Sequence, residues 1–216
     1  MTGRPETGNQ KLKNERTENN MTNSVYEIKE SAIADPGPLG LACFALTTFC
    51  LSMINAGFVD KAATIVVIAL ALVYGGATQI LAGMWEYKKN NIFGATAFSS
   101  YGAFWISLGV FDLLASLHLV AVPAQGVWLF LLGWTIFTFY MWIGSFGTNK
   151  ALVVTFTLLL IAFILLTIGA TGSALAHTLG GYIGILTAFA AWYTSAAGIC
   201  NTVFGRVVLP VGPLKK

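Results

Sequence analysis

The sequence predicts an all-α membrane protein with six transmembrane helices, on three observations. Of its 216 residues, 56% are hydrophobic and only 10% are charged, against roughly 25% charged in soluble domains. The few charges bound long uncharged runs at 36–59, 62–85, 90–111, 113–149 and 151–205, each long enough for the ~20 residues that carry a helix across a bilayer. These runs are continuously apolar rather than alternating with period two, so they read as helices and not as strands of a barrel.

Two of the runs are long enough to be divided. The segment "LHLVAVPAQG" holds His118, Pro123 and Gln125 and marks a surface turn, and "GATGSALAHT" at 169–178 marks another. Six spans follow, at about 38–58, 62–85, 92–116, 124–145, 151–170 and 176–204. Arg4, Lys11, Lys13, Arg16 and Lys29 precede the first span, Lys88 and Lys89 follow the second, Lys150 follows the fourth, and Arg206, Lys215 and Lys216 follow the sixth; Lys61 alone falls on the other side. Both termini are therefore expected in the cytoplasm, with the protein multi-pass in the plasma membrane. Residues 1–34 read as a polar cytoplasmic tail, 35–205 as the membrane domain and 206–216 as a short second tail.

Several functions are disfavoured by what is missing. No Lys or Arg lies in the middle of a span, and Asp35, Asp60, Glu86 and Asp112 sit near predicted span ends, unlike the mid-membrane carboxylates of a proton relay. The hydroxyls at depth have no His, Asp or Lys beside them to activate a nucleophile, which argues against an enzyme. Cys43, Cys50 and Cys200 lack metal-ligand spacing and read as apolar filler. Trp85, Trp128 and Trp142 suit an interfacial belt, and His118 and His177 a solvated surface. The net charge of +3 reflects the orientation bias and gives no support to nucleic-acid binding, and no cofactor or metal is expected. A passage or a scaffold remains.

Polar residues recur at helical spacing in most spans, which marks the faces turned to other helices or to a pore. The first span carries Phe44, Thr48, Leu51 and Asn55 on one face with Thr47 beside it; the second carries Gly75 or Gly76, Gln79, Gly83 and Glu86; the third carries Thr96, Ser99, Ser100 and Ser107 with Tyr101 alongside; the sixth carries Gly180, Gly184, Thr187, Ala191, Ser195 and Thr202. Hydroxyls of this kind can line a path or merely join helices. For Asn55 and Gln79, whose amides need partners if sequestered, the two readings weigh equally.

The stretch "DPGPLGLACF" resembles the NPAPLGL signature that opens the first span of the acetate uptake transporter family, also called the GPR1/FUN34/YaaH family. The resemblance continues through "YGGATQILAGMWEYKKNNIFGATAFSSYGAFW" at 74–105 and "FGRVVLP" at 204–210, and covers the chain from residue 35 onward. It departs at Asp35, where the signature has Asn, and at Gly37, where it has Ala. The amide-to-carboxylate change replaces a group that can donate with one that, ionised, only accepts, although either caps a helix.

The resemblance implies six-helix protomers in a homohexameric ring, each with its own pore for acetate and related short carboxylates, succinate among them. It implies a central apolar constriction at Phe44, Tyr101 and Leu159, and selectivity set at Leu159 and Ala191. The entrance motif would be Asp35, Pro36, Gly37, Pro38, Leu39, Gly40 and Leu41. Its prolines start the first helix abruptly, so the free amides of the first turn are expected to face the arriving anion. Thr47, Thr48, Asn55, Gln79, Glu86, Thr96, Ser99 and Ser100 are expected along the path, replacing the anion's water in several weak sites, and the Tyr101 hydroxyl is expected to donate to the carboxylate. Proton coupling would run through the substrate or Glu86. The competing readings are a urea or short-amide channel and a non-transporting membrane acetate sensor.

Overall fold

The structure is a computed structural model that describes residues 33–214. The predicted tail up to residue 32 and the basic residues Lys215 and Lys216 lie outside the described residues. Among the described residues six helices long and apolar enough to cross a membrane follow one another: α1 Gly37–Asn55, α2 Lys61–Lys88, α3 Ile92–Ser116, α4 Ala124–Ser145, α5 Lys150–Gly169 and α6 Ala174–Val203. They match the predicted spans to within a few residues; α2 runs past its predicted end and α1 stops short of its own, because Gly57 adopts a left-handed φ of 80° that ends the helix early. The Phe58 amide returns to the Met53 carbonyl at 3.0 Å, closing the terminus as a glycine C-cap does.

Helix starts are set by short polar side chains. Asp60 accepts from the Ala62 amide at 2.7 Å before α2, Asn91 from Gly94 at 3.2 Å in α3, Asn149 from Leu152 at 2.9 Å in α5, and Ser173 from Ala176 at 3.3 Å in α6. Each satisfies an amide that the first helical turn leaves free.

Helix α2 is not uniform. It opens as a 3-10 turn at Lys61–Ala63, continues as α-helix, widens into a π-helical turn at Val73–Thr78 and resumes as α-helix at Gln79–Lys88. The wide turn coincides with Gly75, where a Cβ would stand 2.5 Å from the Thr47 hydroxyl of α1. Such bulges absorb one extra residue and rotate whatever follows; here the residue that follows is Gln79.

Helix α6 is the central packing element, in close contact with both α1 and α5, while α2 packs on α3 and α4 on α5. The core joins Phe44, Phe98, Tyr101, Phe104, Trp105, Phe156, Leu159 and Phe163, with Ala191 among them. Helix α4 buries the smallest share of itself. Outward-facing Ile65, Val73, Leu129 and Ile136 are at least 60% exposed, an apolar exterior suited to lipid or to a neighbouring protomer. After α6 the chain turns back: Asn201 accepts from the amides of Val208 and Leu209 and donates to the Leu209 carbonyl, and the Lys150 and Ala151 amides donate to Gly212 and Val211.

Candidate functional site

Two cavities occupy opposite ends of the bundle. The larger, about 550 Å³, opens among Asp35, Asn91, Asn149 and Val211 and runs inward past Glu86 and Gln79 to Phe44, Tyr101, Phe156 and Leu159. The smaller, about 340 Å³, runs from Phe44 and Leu159 past Thr48, Phe104 and Trp105 to Asn55, Ala124 and His177. Phe44 and Leu159 are the side chains common to both linings. They form the partition between the cavities, and the Phe44 and Tyr101 rings lie 5.8 Å apart beside it.

The entrance motif holds the mouth of the larger cavity. Asp35, Gly37, Pro38 and Leu41 line it, whereas Pro36 and Gly40 are buried elsewhere and Leu39 faces outward at 44% exposure. The Pro38 carbonyl accepts from the Ser195 hydroxyl at 2.6 Å, and the Pro38 ring rests where Gly198 leaves room, so the motif docks the first turn of α1 onto α6. The anion-attracting terminus expected from the sequence is largely closed. Gly37 donates to the Asp35 carboxylate at 3.1 Å, Gly40 to the Pro36 carbonyl at 3.1 Å, and Pro38 has no amide hydrogen. The Asp35 charge is itself answered by Lys89 at 2.9 Å.

Of the residues expected along the path, Gln79 and Glu86 line the larger cavity, and Thr48 and Asn55 the smaller. Thr47, Thr96, Ser99 and Ser100 line neither. Thr47 donates to the Cys43 carbonyl at 3.0 Å and packs on Gly75, and Ser99 lies against Gly83 of α2. Ala191 is fully buried in the core and also lines neither cavity. The Tyr101 hydroxyl shares a hydrogen bond of 2.9 Å with Thr138 of α4, so it already has a protein partner, and the ring is what Tyr101 offers the partition.

Most hydroxyls in the spans are satisfied at once by their own helix. Thr135, Thr155, Thr157, Thr167, Thr187 and Thr194 each donate to the carbonyl four residues back, the usual fate of a hydroxyl in a helix interior. Against that background a few buried polar atoms have no partner among the described residues: both amide atoms of Gln79, the hydroxyls of Thr48 and Ser99, and the indole nitrogen of Trp105. Three of these four residues line a cavity. A buried polar group left unpaired costs about 1–3 kcal/mol, so their clustering along the cavities marks where a polar guest would be held. Glu86, 1% exposed, accepts from the Asn91 amide at 2.8 Å through one oxygen. Trp105 was not singled out from the sequence. Its "GAFW" setting looks like core aromatic, and an indole is revealed as an orphaned donor only by its neighbours.

Residues 18–216 match the model of the GPR1/FUN34/yaaH family. The chain belongs to this family. It is 40% identical over 201 residues to Acetate permease A of Emericella nidulans, with 85% of this chain and 67% of that protein covered. It is also 40% identical over 183 residues to the Succinate-acetate/proton symporter SatP of Escherichia coli, covering 83% of this chain and 96% of that one. A solved structure described as that of the bacterial acetate channel SatP superposes with a TM-score of 0.79 at 38% identity, covering 83% of this chain and 99% of the other. Family membership thus joins the sequence resemblance to the observed six-helix fold.

Proposed function

We propose that this family member carries acetate and related short carboxylates across the plasma membrane, along a path made of the two cavities and interrupted by Phe44 and Leu159. The observation that carries the reading is the pair of cavities meeting at one apolar partition, with buried unpaired polar groups on either side. The relatives named as an acetate permease and a succinate-acetate/proton symporter support the substrate class.

The lining carries the carboxylates of Asp35 and Glu86 and, among the described residues, no Lys or Arg. Asp35 is paired with Lys89, whereas Glu86 has the Asn91 amide as its hydrogen-bond partner. A second carboxylate arriving in the same enclosed space meets like charge, and two such groups are best held with a proton between them. Transport is accordingly read as carboxylate plus proton, with Glu86 the exchanging group and the Gln79 amide, which can both donate and accept, holding the acid on its way to the partition. Phe44 and Leu159 yield to let it pass.

Lys88, Lys89, Lys150 and Arg206 at one end of the bundle and Lys61 at the other favour cytoplasmic termini, so the larger cavity faces inward. Residues 35–205 form the transport unit with tails at 1–34 and 206–216, and six protomers assemble into a ring that covers part of the apolar exterior. Native mass spectrometry in detergent tests that count.

Purified protein in liposomes tests the whole reading. An imposed proton gradient should drive labelled acetate uptake without net current, urea should not follow, and Glu86→Gln should make uptake insensitive to the gradient. A current reversing at the acetate equilibrium potential with no proton movement would overturn the coupling, and no carboxylate flux of any kind would overturn the function.

A further inference from the structure

The last helix is longer than the hydrocarbon it has to cross. Helix α6 has 30 residues, about 45 Å at ~1.5 Å per residue, which is the thickness of a bilayer with its headgroup layers included. Its C-terminal end therefore stands among headgroups, on the side that also carries Lys88, Lys89 and Lys150. What it presents there is apolar: Phe204 is 63% exposed, and Val203 and Val207 are each 75% exposed. Gly205 takes a left-handed φ of 62° and stops the helix, and Arg206 follows it, exposed. Among the described residues Lys89 and Asp35 make the only ion pair, so neither Arg206 nor Lys150 is answered by a carboxylate there.

From Val208 onward the chain returns across the end of the bundle as a strap. Asn201 holds the backbone of Val208 and Leu209, and the Tyr193 hydroxyl donates to the Pro210 carbonyl at 2.8 Å. The Lys150 and Ala151 amides donate to the Gly212 and Val211 carbonyls at 2.8 and 3.1 Å, and the Leu214 amide donates to the Thr148 carbonyl at 2.9 Å. The stem of Lys150 lies against Gly212. On its inner side the strap is a wall of the larger cavity, through Val211 and Pro213. One segment thus meets the membrane surface at 203–207 and the mouth at 211–213, with hydrogen bonds between that tie the two together.

Exposed apolar side chains beside unanswered cations, at headgroup depth, are the complement of an anionic lipid: an acyl chain for Val203, Phe204 and Val207, and a negatively charged headgroup for Arg206 and Lys150. A zwitterionic lipid brings the chain without the net charge. A neighbouring protomer would have to bring a carboxylate, and the described residues at this end offer Asp35, already paired, and Glu86, which is buried. We propose that residues 203–207, together with Lys150, dock an anionic lipid of the cytoplasmic leaflet, and that the docked lipid steadies the strap and with it the mouth of the larger cavity. The regulation rests on the transport reading given above; the docking does not.

Native mass spectrometry in detergent, with phosphatidylglycerol or phosphatidylcholine added, tests the docking. The wild type should retain phosphatidylglycerol in preference to phosphatidylcholine, and Arg206→Gln and Lys150→Gln should each weaken that retention about fivefold; both side chains are exposed, so the fold should not depend on them. Uptake by proteoliposomes tests the regulation. In vesicles of one part phosphatidylglycerol to two parts phosphatidylcholine, the wild-type KM values for acetate and succinate should lie about two- to threefold below those of Arg206→Gln, and the two proteins should agree in phosphatidylcholine alone. The surface charge of the vesicle acts on both proteins alike. Asn201→Ala, which frees the strap from α6, should retain the lipid and gain nothing from it. Equal retention of the two lipids, or retention that neither Arg206→Gln nor Lys150→Gln weakens, would overturn the docking, and a loss of assembly in these variants would give the surface to a neighbouring protomer instead. Selective retention with KM values indifferent to lipid would overturn the regulation alone. Selective retention by a protein that moves no carboxylate would overturn the transport reading and the regulation that rests on it, and leave the docking standing.

Discussion

The two cavities use their polar atoms in opposite ways. Around the larger one, the side chains at the mouth are mostly occupied with one another: Asp35 with Lys89 and the Gly37 amide, Asn91 with Glu86 and the Gly94 amide, Asn149 with the Leu152 amide. Only deep inside, at Gln79, does an amide stand unpaired. The smaller cavity has few polar groups, and two of them, Thr48 and Trp105, are unpaired. A network satisfied by its own members is rigid and holds a shape, whereas an unpaired donor in apolar surroundings is an unfilled binding position. On the proposed reading the larger cavity therefore has a rigid mouth and the smaller one keeps its unpaired groups inside, with Phe44 and Leu159 between the two.

Removing the partition would break this division most severely. Phe44→Ala should merge the cavities, raise acetate flux and lower the discrimination between acetate and a bulkier carboxylate such as lactate by about tenfold. Labelled uptake in liposomes, with assembly checked by size-exclusion chromatography, measures both. Unchanged flux and selectivity in assembled protein would mean that Phe44 is core and not gate.

Gln79 gives a two-signed test of the inner half. Replacing it with leucine removes a buried amide that has no partner, so the protein should gain about 1–3 kcal/mol of stability, read as a higher melting temperature, while acetate uptake falls about tenfold. A purely structural glutamine would show a loss of stability or no gain, and uptake would follow the amount of folded protein.

How far the sequence reveals such distinctions depends on the scale of the interaction involved. The six spans are legible because crossing a bilayer demands long apolar runs whatever the tertiary context, and most of their ends because charged residues such as Asp60, Lys61 and Lys150 bound those runs. The early end of α1 at Asn55 escaped because glycine takes a left-handed φ at one position and not another for reasons of the whole loop. The path is harder. Thr47 and Thr48 are adjacent and chemically identical, yet one is satisfied by the Cys43 carbonyl and packs on Gly75 while the other faces a cavity unpaired. Helical periodicity placed a polar stripe on that side of α1 without the angular precision to separate them. The π turn in α2 adds to the difficulty, since it shifts the register of everything between Val73 and Gln79 and no periodicity assumed for an ideal helix survives it. Trp105 was invisible for a simpler reason, that an orphaned donor is defined by partners the sequence does not position.

The rim of the larger cavity offers a milder perturbation. Asn201→Ala removes the three hydrogen bonds that pin Val208 and Leu209, and Val211 and Pro213 beyond them line that cavity. The expected cost is about 1–2 kcal/mol, because these bonds lie near the surface. The KM values for acetate and succinate should rise together, by about twofold to threefold, since the loosened segment touches the larger cavity and not the smaller one. A change confined to one substrate would show that the two halves are not independent.

The smallest effect belongs to Asp35, and it isolates charge from structure. Asp35→Asn installs the residue that the resembled signature carries there and keeps an oxygen to accept from the Gly37 amide, so α1 should start where it does now. What it removes is the ion pair with Lys89, whose side chains are 31% and, for Asp35, 55% exposed. Pairs this exposed contribute no more than about 1 kcal/mol, so the melting temperature should barely move. Lys89 would then stand unneutralised at the mouth, and a positive charge at an entrance raises the local concentration of an anion in proportion to how little salt screens it. Acetate uptake at low ionic strength should rise by about twofold and return to the wild-type rate when ~0.5 M salt shortens the screening length to a few ångströms. A gain that persists in high salt would instead place the effect in the geometry of the α1 terminus, which would make Asp35 part of the admitting machinery itself and not merely the counter-charge that silences Lys89.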